Sequence, residues 1–304
     1  MYSLSTCWNS HRHTDGRKML NEIRELGFEY AELSHGIRVS LLQGIFEAVD
    51  RNEIKISSLH NFCPLPLGVN HAAPNIFQFS ALRSSERQSA LRHTLRTIET
   101  AARVGAKVVV LHLGSVDMPD YTDRLRKMAR EGKGNSEQYK KLCSEALLKR
   151  EKFKRHHIDN VFSILHQITE EARKNGIKLG IENREALEEI PFETDFDLFF
   201  REFNDSTLGY WHDTGHAQIK ENLGFIHHRI HLEGMQNRLL GFHIHDVKYP
   251  DVDHTPPGMG EIDFAGLRPF VKPEHLKVFE LSPALDTDLV KVGVSHLKSL
   301  WDNE

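Results

Sequence analysis

The sequence is short of everything that would staple, anchor or unfold it. Only 3 cysteines occur in 304 residues (Cys7, Cys63 and Cys143). They are odd in number and far apart, which fits neither a disulfide framework nor a CxxC metal knuckle. No apolar run approaches the roughly 18 residues that a spanning helix needs, which excludes a helical membrane protein. The opening stretch MYSLSTCWNSHRH lacks the long apolar core of a signal peptide, so the expectation is a reducing, cytoplasmic compartment. Neither sign of charge dominates: 39 Lys+Arg face 43 Asp+Glu, for a net charge of −4. With 39% hydrophobic and 27% charged residues the chain reads as globular and on the polar side, not as a disordered tail. No GxGxxG follows the first apolar run, which argues against a doubly wound dinucleotide-binding sheet.

What is abundant is histidine, with 20 residues. Imidazole is the commonest metal ligand among side chains, so the positions of these residues carry the argument. Short β-branched or apolar runs alternate with amphipathic stretches. Strands are predicted over 1–6, 30–34, 54–60, 107–112, 177–182, 208–213, 239–245 and 277–281. Helices are predicted over 15–27, 39–51 and 84–104, up to 175–176, near 194–203, 217–234 and 263–270, and over 286–301. The first helix shows the signals well: Asp15 can cap it, Met19, Ile23 and Leu26 recur at helical spacing, and Gly27 ends it. Eight strand-helix units imply parallel strands with right-handed crossovers. Eight is also the count of a closed (β/α)8 barrel, a TIM barrel, expected here as one domain over 1–304. Two connections are long. Residues 62–83 are rich in proline and apolar residues and read as a lid, although Phe62, Leu65, Leu67, Ile76, Phe77 and Phe79 suit ordinary packing equally. Residues 113–160 form an extended helical insertion after the fourth strand. From Arg124 to His157 it holds 12 Lys/Arg against 4 Asp/Glu, a local net of +8. It reads either as a solvated helix pair or as a cationic flap for a phosphorylated ligand, a subunit or nucleic acid.

In such a barrel the active site lies at the C-terminal strand ends, and the candidate ligands fall there. His60 ends the third strand, His112 the fourth, Glu182 the fifth, Asp213 the sixth, His243 and His245 the seventh, and Glu280 the eighth. A lone histidine at a strand end is more often structural than a ligand. A glutamate closing an apolar run, as in GIENRE and VFELSP, is harder to dismiss, because a buried carboxylate needs a partner. A divalent cation would explain the whole set together. Mixed carboxylate and imidazole donors suit Mn²⁺ or Zn²⁺ first, with Mg²⁺, Co²⁺ or Fe²⁺ as the other choices. Asp213-Thr214-Gly215-His216 adds an imidazole three residues after a strand-end carboxylate. His243-Ile244-His245-Asp246 uses the strand period of two, so both rings project to one face. Lys248 follows closely, and Asp251, Asp253 and His254 precede the tight loop Pro256-Pro257-Gly258-Met259-Gly260.

Taken together, IRELGFEYAELS (23–34), GIENRE, WHDTGHA, FHIHD, the H-x-x-x-G-x-G-E-I-D-F stretch (254–264) and FELSP (279–283) resemble the xylose-isomerase-like TIM-barrel superfamily. This superfamily includes sugar and sugar-phosphate isomerases and epimerases and, as a DNA-repair relative, endonuclease IV. The resemblance implies one metal held by Glu182, Asp213, His243 and Glu280, with His245 as the alternative on the seventh strand. His243 is preferred because it stands three residues before Asp246. The resemblance also implies substrate contacts from His216, Arg184 and Glu185, with His60, His112, His245 and Lys248 as further candidates. In endonuclease IV three zinc ions use nine ligands. His60, His112, Glu182, Asp213, His216, His243, His254 and Glu280 match eight of them by type and order. The ninth, an Asp, falls on Val252, between Asp251 and Asp253.

Three functions follow as expectations. The first is a metal-dependent sugar or sugar-phosphate isomerase or epimerase, in which Glu182 and Glu280 move a proton beside a carbonyl and the metal stabilises the enediolate. A lyase or hydratase on an oxidised sugar is a variation on it. The second is an endonuclease IV-like multi-zinc phosphodiesterase; the net charge of −4 counts against nucleic acid, and the +8 segment weakens that objection. The third is a barrel that binds sugar without chemistry, which would be expected to have lost one of the carboxylates. The expected partner is a small carbohydrate, phosphorylated or not. No membrane is expected, and a homo-oligomer is allowed for.

Overall fold

The computed structural model describes residues 1–302. The predicted alternation closes on itself. Strands β1 (Tyr2–Ser5), β2 (Tyr30–Leu33), β3 (Lys55–His60), β4 (Val108–Leu111), β5 (Lys178–Glu182), β6 (Leu208–Asp213) and β7 (Leu239–Ile244) lie side by side in chain order. After a small hairpin, β8 (Asp246–Lys248) and β9 (Val252–Thr255), strand β10 (Leu276–Phe279) fills the gap between β7 and β1. All eight barrel pairings are parallel. The chain is therefore a TIM barrel, as the spacing of its apolar runs predicts.

Helices α1 (Gly16–Glu25), α2 (Leu42–Asp50), α3 (Ser84–Val104), α4 (Thr122–Arg130), α5 (Glu137–Lys174), α6 (Phe196–Glu202), α7 (Thr214–Asn222), α8 (His228–Met235), α9 (Phe264–Leu267) and α10 (Thr287–Trp301) make the outer layer and its connections. Local chemistry sets their starts. The Asp15 carboxylate accepts the N–H groups of Arg17 and Lys18 at 2.8 and 3.1 Å, and the Ser136 hydroxyl accepts that of Tyr139 at 3.2 Å. Inside the barrel the strand period of two stacks small or apolar residues beneath polar ones. Val110 lies below His112, Gly180 below Glu182, Trp211 below Asp213, Gly241 below His243 and Val278 below Glu280. Val108, Val110, Trp211, Leu276 and Val278 form a separate apolar plug in the barrel. The polar residues are thereby held on a rigid floor at the C-terminal rim.

The structure departs from the sequence reading in four places. The helical stretch expected over 217–234 is two helices, because α7 stops at Asn222 and the chain reverses through Gly224, whose φ of +81° favours glycine. The loop region after His245 contains the β8–β9 hairpin. The Asp246 carboxylate accepts four backbone N–H groups, from Val247, Gly258, Gly260 and Ile262, and so organises the Pro-Pro-Gly loop. The second part of the insertion after β4 runs straight into the crossover: α5 is one helix of 38 residues that leads to β5. The helix expected near 263–270 is one short α-turn followed by a 3₁₀ turn over Arg268–Phe270.

The long connections pack against the barrel. Phe62, Cys63, Leu65 and Phe79 are buried, and Phe62 and Phe77 pack on the His93 ring. The same connection brings Asn75 to the rim, where its Oδ1 lies 3.0 Å from His112 Nδ1. The basic insertion spends much of its charge internally. Arg150 and Lys154 hold the buried Asp195, at 2.6 and 2.9 Å. On α4, Arg126 reaches Glu185 at 2.5 Å, and Arg130 reaches Asp251 at 2.5 Å. These contacts tie α4 to two of the loops beyond the strand ends. Among the described residues no helix is long and apolar enough to cross a membrane.

Candidate metal centre

The rim gathers a dense set of titratable groups, and Glu182 is at its centre. One carboxylate oxygen lies 2.7 Å from His112 Nε2 and also meets the Arg184 guanidinium; the other lies 2.5 Å from His243 Nδ1. His243 Nδ1 also lies 3.0 Å from Glu280 Oε2. Its Nε2, on the opposite edge of the ring, lies 3.1 Å from both oxygens of Glu32. His60 stacks on His243, with centroids 5.6 Å apart and planes 7° apart, and its Nε2 faces His112 Nε2 at 3.1 Å. Glu32, Glu182, Asp213, His243, His60 and Glu280 are all buried.

Glu182, Asp213, His243 and Glu280 each offer a ligand atom within 4.8 Å of the other three, so the four residues could hold one ion. Their chemistry fits a divalent cation. Four carboxylates (Glu32, Glu182, Asp213 and Glu280) are buried here, while Arg184, the guanidinium beside them, is shared with Glu189 at 3.0 Å. Buried anions in excess of cations are costly unless a cation joins them. His60 forms a further group with Glu182 and His243, and Asp213, His216 and His245 form another.

Hydrogen bonding separates the two seventh-strand histidines. His245, one residue beyond β7, accepts the backbone N–H of His254 on its Nδ1 at 2.9 Å. A neutral His245 therefore carries its proton on Nε2, which donates to Asp213 Oδ1 at 3.1 Å. That geometry suits a residue orienting Asp213 better than a ligand. His243 turns Nε2 to Glu32 and Nδ1 to Glu182 and Glu280, so if an ion took the place of the Nδ1 proton the remaining N–H would point at Glu32. Asp213 is further fixed because it caps α7, accepting His216 N–H at 2.7 Å. The glycine of Asp213-Thr214-Gly215-His216 is required here: a Cβ on Gly215 would lie 1.9 Å from His245 Cε1.

The surroundings push the two glutamates apart. Burial alone would raise the pKa of Glu182, but His243 and Arg184 outweigh it and hold the group well below the ordinary carboxylate range. Burial raises Glu280, helped by Glu182 and Glu32, and the opposing pull of His243 and His254 does not cancel the rise. Burial opposes charge on His243, yet Glu280, Glu32 and Glu182 lift its pKa well above normal. Burial lowers that of His60, with His112 and His35 adding to it.

The remaining sequence candidates divide. His112, Arg184 and His216 are in the cluster; His216 Nδ1 donates to the Asn183 carbonyl at 3.0 Å. His254 stacks on His245 at 4.3 Å between centroids and pairs with Asp253 at 3.0 Å. Glu185 and Asp251 are engaged by arginines of α4, and Lys248 is exposed at the end of β8. A cavity of about 360 Å³ opens beside the cluster, bounded by Glu280, His254, Asp253, His35 and Arg38. Residues that sequence reasoning missed are Glu32, His35, Asn183, whose side chain bridges to both backbone groups of Asp213, and Glu189. Glu32 carried a usable signal, since it is an acidic residue inside the short apolar strand YAEL.

A family model described as a xylose isomerase-like TIM barrel matches residues 20–280. A Methanocaldococcus jannaschii protein, MJ1311, described as uncharacterized, is 32% identical over 112 residues. The match spans about a third of each chain, 35% of this one and 36% of that one. Among solved structures, a D-tagatose 3-epimerase-like protein superposes with a TM-score of 0.68 at 21% identity, covering 99% of this chain and 98% of that one. The 3-keto-D-glucoside 4-epimerase of E. coli gives 0.68 at 14% identity, covering 98% of each. A D-allulose 3-epimerase from Methylomonas sp., in complex with D-allulose, gives 0.69 at 14%, covering 98% of this chain and 96% of that one. At these identities the likeness is one of fold.

Proposed function

This chain belongs to the xylose isomerase-like TIM-barrel family, and we propose on that premise that it is a divalent-metal-dependent isomerase or epimerase of a sugar or sugar phosphate. The observation that carries the reading is the convergence of Glu182, Asp213, His243 and Glu280 within 4.8 Å, beside a cavity large enough for a monosaccharide. The names of its structural neighbours, sugar epimerases among them, point the same way.

A divalent cation held by these four residues supplies Lewis-acid stabilisation of negative charge developing on the substrate's oxygens. The protein supplies the proton handling. Glu182, beside the Arg184 guanidinium, takes a proton from the carbon next to the carbonyl. Glu280 returns one. His216, His254 and Arg184 hold hydroxyls, and His245 keeps Asp213 in place. Asn70, His71 and Ala72 of the segment 62–83 line the cavity and restrict water there. Mn²⁺ or Zn²⁺ is the first choice of ion.

The direct test is solvent exchange. With the ion supplied, ketopentoses, ketohexoses and their phosphates incubated in D₂O gain deuterium at the carbon beside the carbonyl, as read by NMR. Absence of both exchange and turnover across that panel contradicts the reading. One observation favours a second function: the neighbouring Asp213, His216 and His245 group offers donors for another ion, as a multi-zinc phosphodiesterase would need. The proton that His245 directs at Asp213 opposes it. Incision of abasic-site duplex DNA would establish that alternative.

A further inference from the structure

The Glu32 carboxylate belongs to none of the residue groups able to share an ion, yet it is fully buried beneath them. It sits on β2, across the barrel from β7, and its two oxygens meet His243 Nε2 at 3.1 Å. Ser58 on the neighbouring strand β3 donates its hydroxyl to Glu32 Oε2 at 2.7 Å, and Ser57 contacts both Ser58, at 3.3 Å, and Ser3 on β1, at 3.0 Å. One hydroxyl, Ser58, thus holds directly a carboxylate that does not face the cavity, and Ser57 and Ser3 back it from β3 and β1. The two nitrogens of an imidazole lie on opposite edges of the ring, so a group bonded to Nε2 cannot join an ion bound at Nδ1.

We propose that Glu32 is a positioning residue: it accepts the Nε2 proton of His243, fixes that tautomer and ring orientation, and so presents the Nδ1 lone pair to a divalent cation shared with Glu182, Asp213 and Glu280. This rests on the metal-dependent reading above. The physics is general. A ligating histidine whose other nitrogen donates to a carboxylate is held in one tautomer and made more basic, and losing such a partner typically weakens metal binding about 10–100-fold. Trp211 completes the support, packing edge-on against the His243 ring with centroids 5.1 Å apart. Glu32 also gives His243 a role that His245, whose Nδ1 is occupied by a backbone N–H, cannot take.

The test compares metal affinity and does not depend on knowing the substrate. Full-length wild type and Glu32→Gln, stripped of metal, are titrated with Zn²⁺ and with Mn²⁺ against a chromogenic chelator. Circular dichroism and thermal melting of the stripped proteins verify the fold. The expected result is one ion per wild-type chain and about 10–100-fold weaker binding by Glu32→Gln with unchanged stoichiometry. Should Glu32→Gln not fold, Ser58→Ala, which frees the second Glu32 oxygen, is the substitute and should weaken binding several-fold. Equal affinity of the folded variant and wild type overturns the role of Glu32 while leaving the metal reading intact. A wild type that takes up neither ion overturns both.

Discussion

Strand β6 carries two histidine environments on its two faces. On the inner face, Asp213 points into the rim, where His60, His112 and His243 lie among Glu32, Glu182 and Glu280. On the outer face, His212 meets His228 Nε2 at 2.9 Å, and the Tyr210 hydroxyl at 2.7 Å; that hydroxyl also contacts His231 at 3.0 Å. Both groups are buried, and they differ in their company. The outer rings bond to one another, to the Tyr210 hydroxyl and to the Gln218 amide, with no carboxylate among their direct partners. Burial presses the pKa values of His228 and His231 down to about 3, with neighbouring cationic groups adding to it. The inner His243 is surrounded by carboxylates and is driven the other way. Burial alone therefore makes a structural histidine, and burial among carboxylates makes one that can share a cation.

The strongest way to break this comparison is at the inner face. Glu280→Gln keeps nearly the same shape and removes the carboxylate proposed to transfer the proton. Turnover of the sugar substrate should fall about 10²–10⁴-fold, with the thermal melt still cooperative. A Glu280→Gln protein with near wild-type kcat would remove Glu280 from proton transfer.

The outer face gives a smaller effect, and one of stability. Unfolded histidine titrates near pH 6.5, while His228 resists protonation to about pH 3. Between these values the unfolded chain binds more protons than the folded one, so stability falls as pH drops. The contribution is complete above pH 6.5. His228→Gln removes one such group. Its unfolding free energy, from urea titrations between pH 4 and 6, should fall less steeply than that of wild type, by up to about 1.4 kcal/mol per pH unit. Identical slopes would mean that the outer cluster takes up protons without unfolding.

The comparison also shows what could be read in advance. The barrel was legible because buried parallel strands such as Val108–Leu111 are nearly continuous apolar runs between amphipathic helices. Glu182 and Glu280 were legible by the same logic, as carboxylates closing such runs. Glu32 obeys that rule less visibly, as one charge inside the four-residue strand YAEL with no long apolar run before it. The hairpin β8–β9 was not legible: DVK and VDHT are too short and too polar to alternate. The histidine count could not separate the inner group from the outer one. Strand period could have done so, since His212 is out of phase with Trp211 and Asp213. Tautomer assignment, which distinguishes His243 from His245, depends on a backbone N–H nine residues away and lies beyond any motif.

The central claim is that Glu182, Asp213, His243 and Glu280 grip one ion. Crystals grown with Mn²⁺ or Zn²⁺, with anomalous data collected at that metal's absorption edge, test it most directly. The account predicts one strong peak bonded by all four side chains, through Nδ1 of His243, at about 2.0–2.2 Å. A peak seated instead on Asp213, His216 and His245, or no peak at the rim, would contradict it.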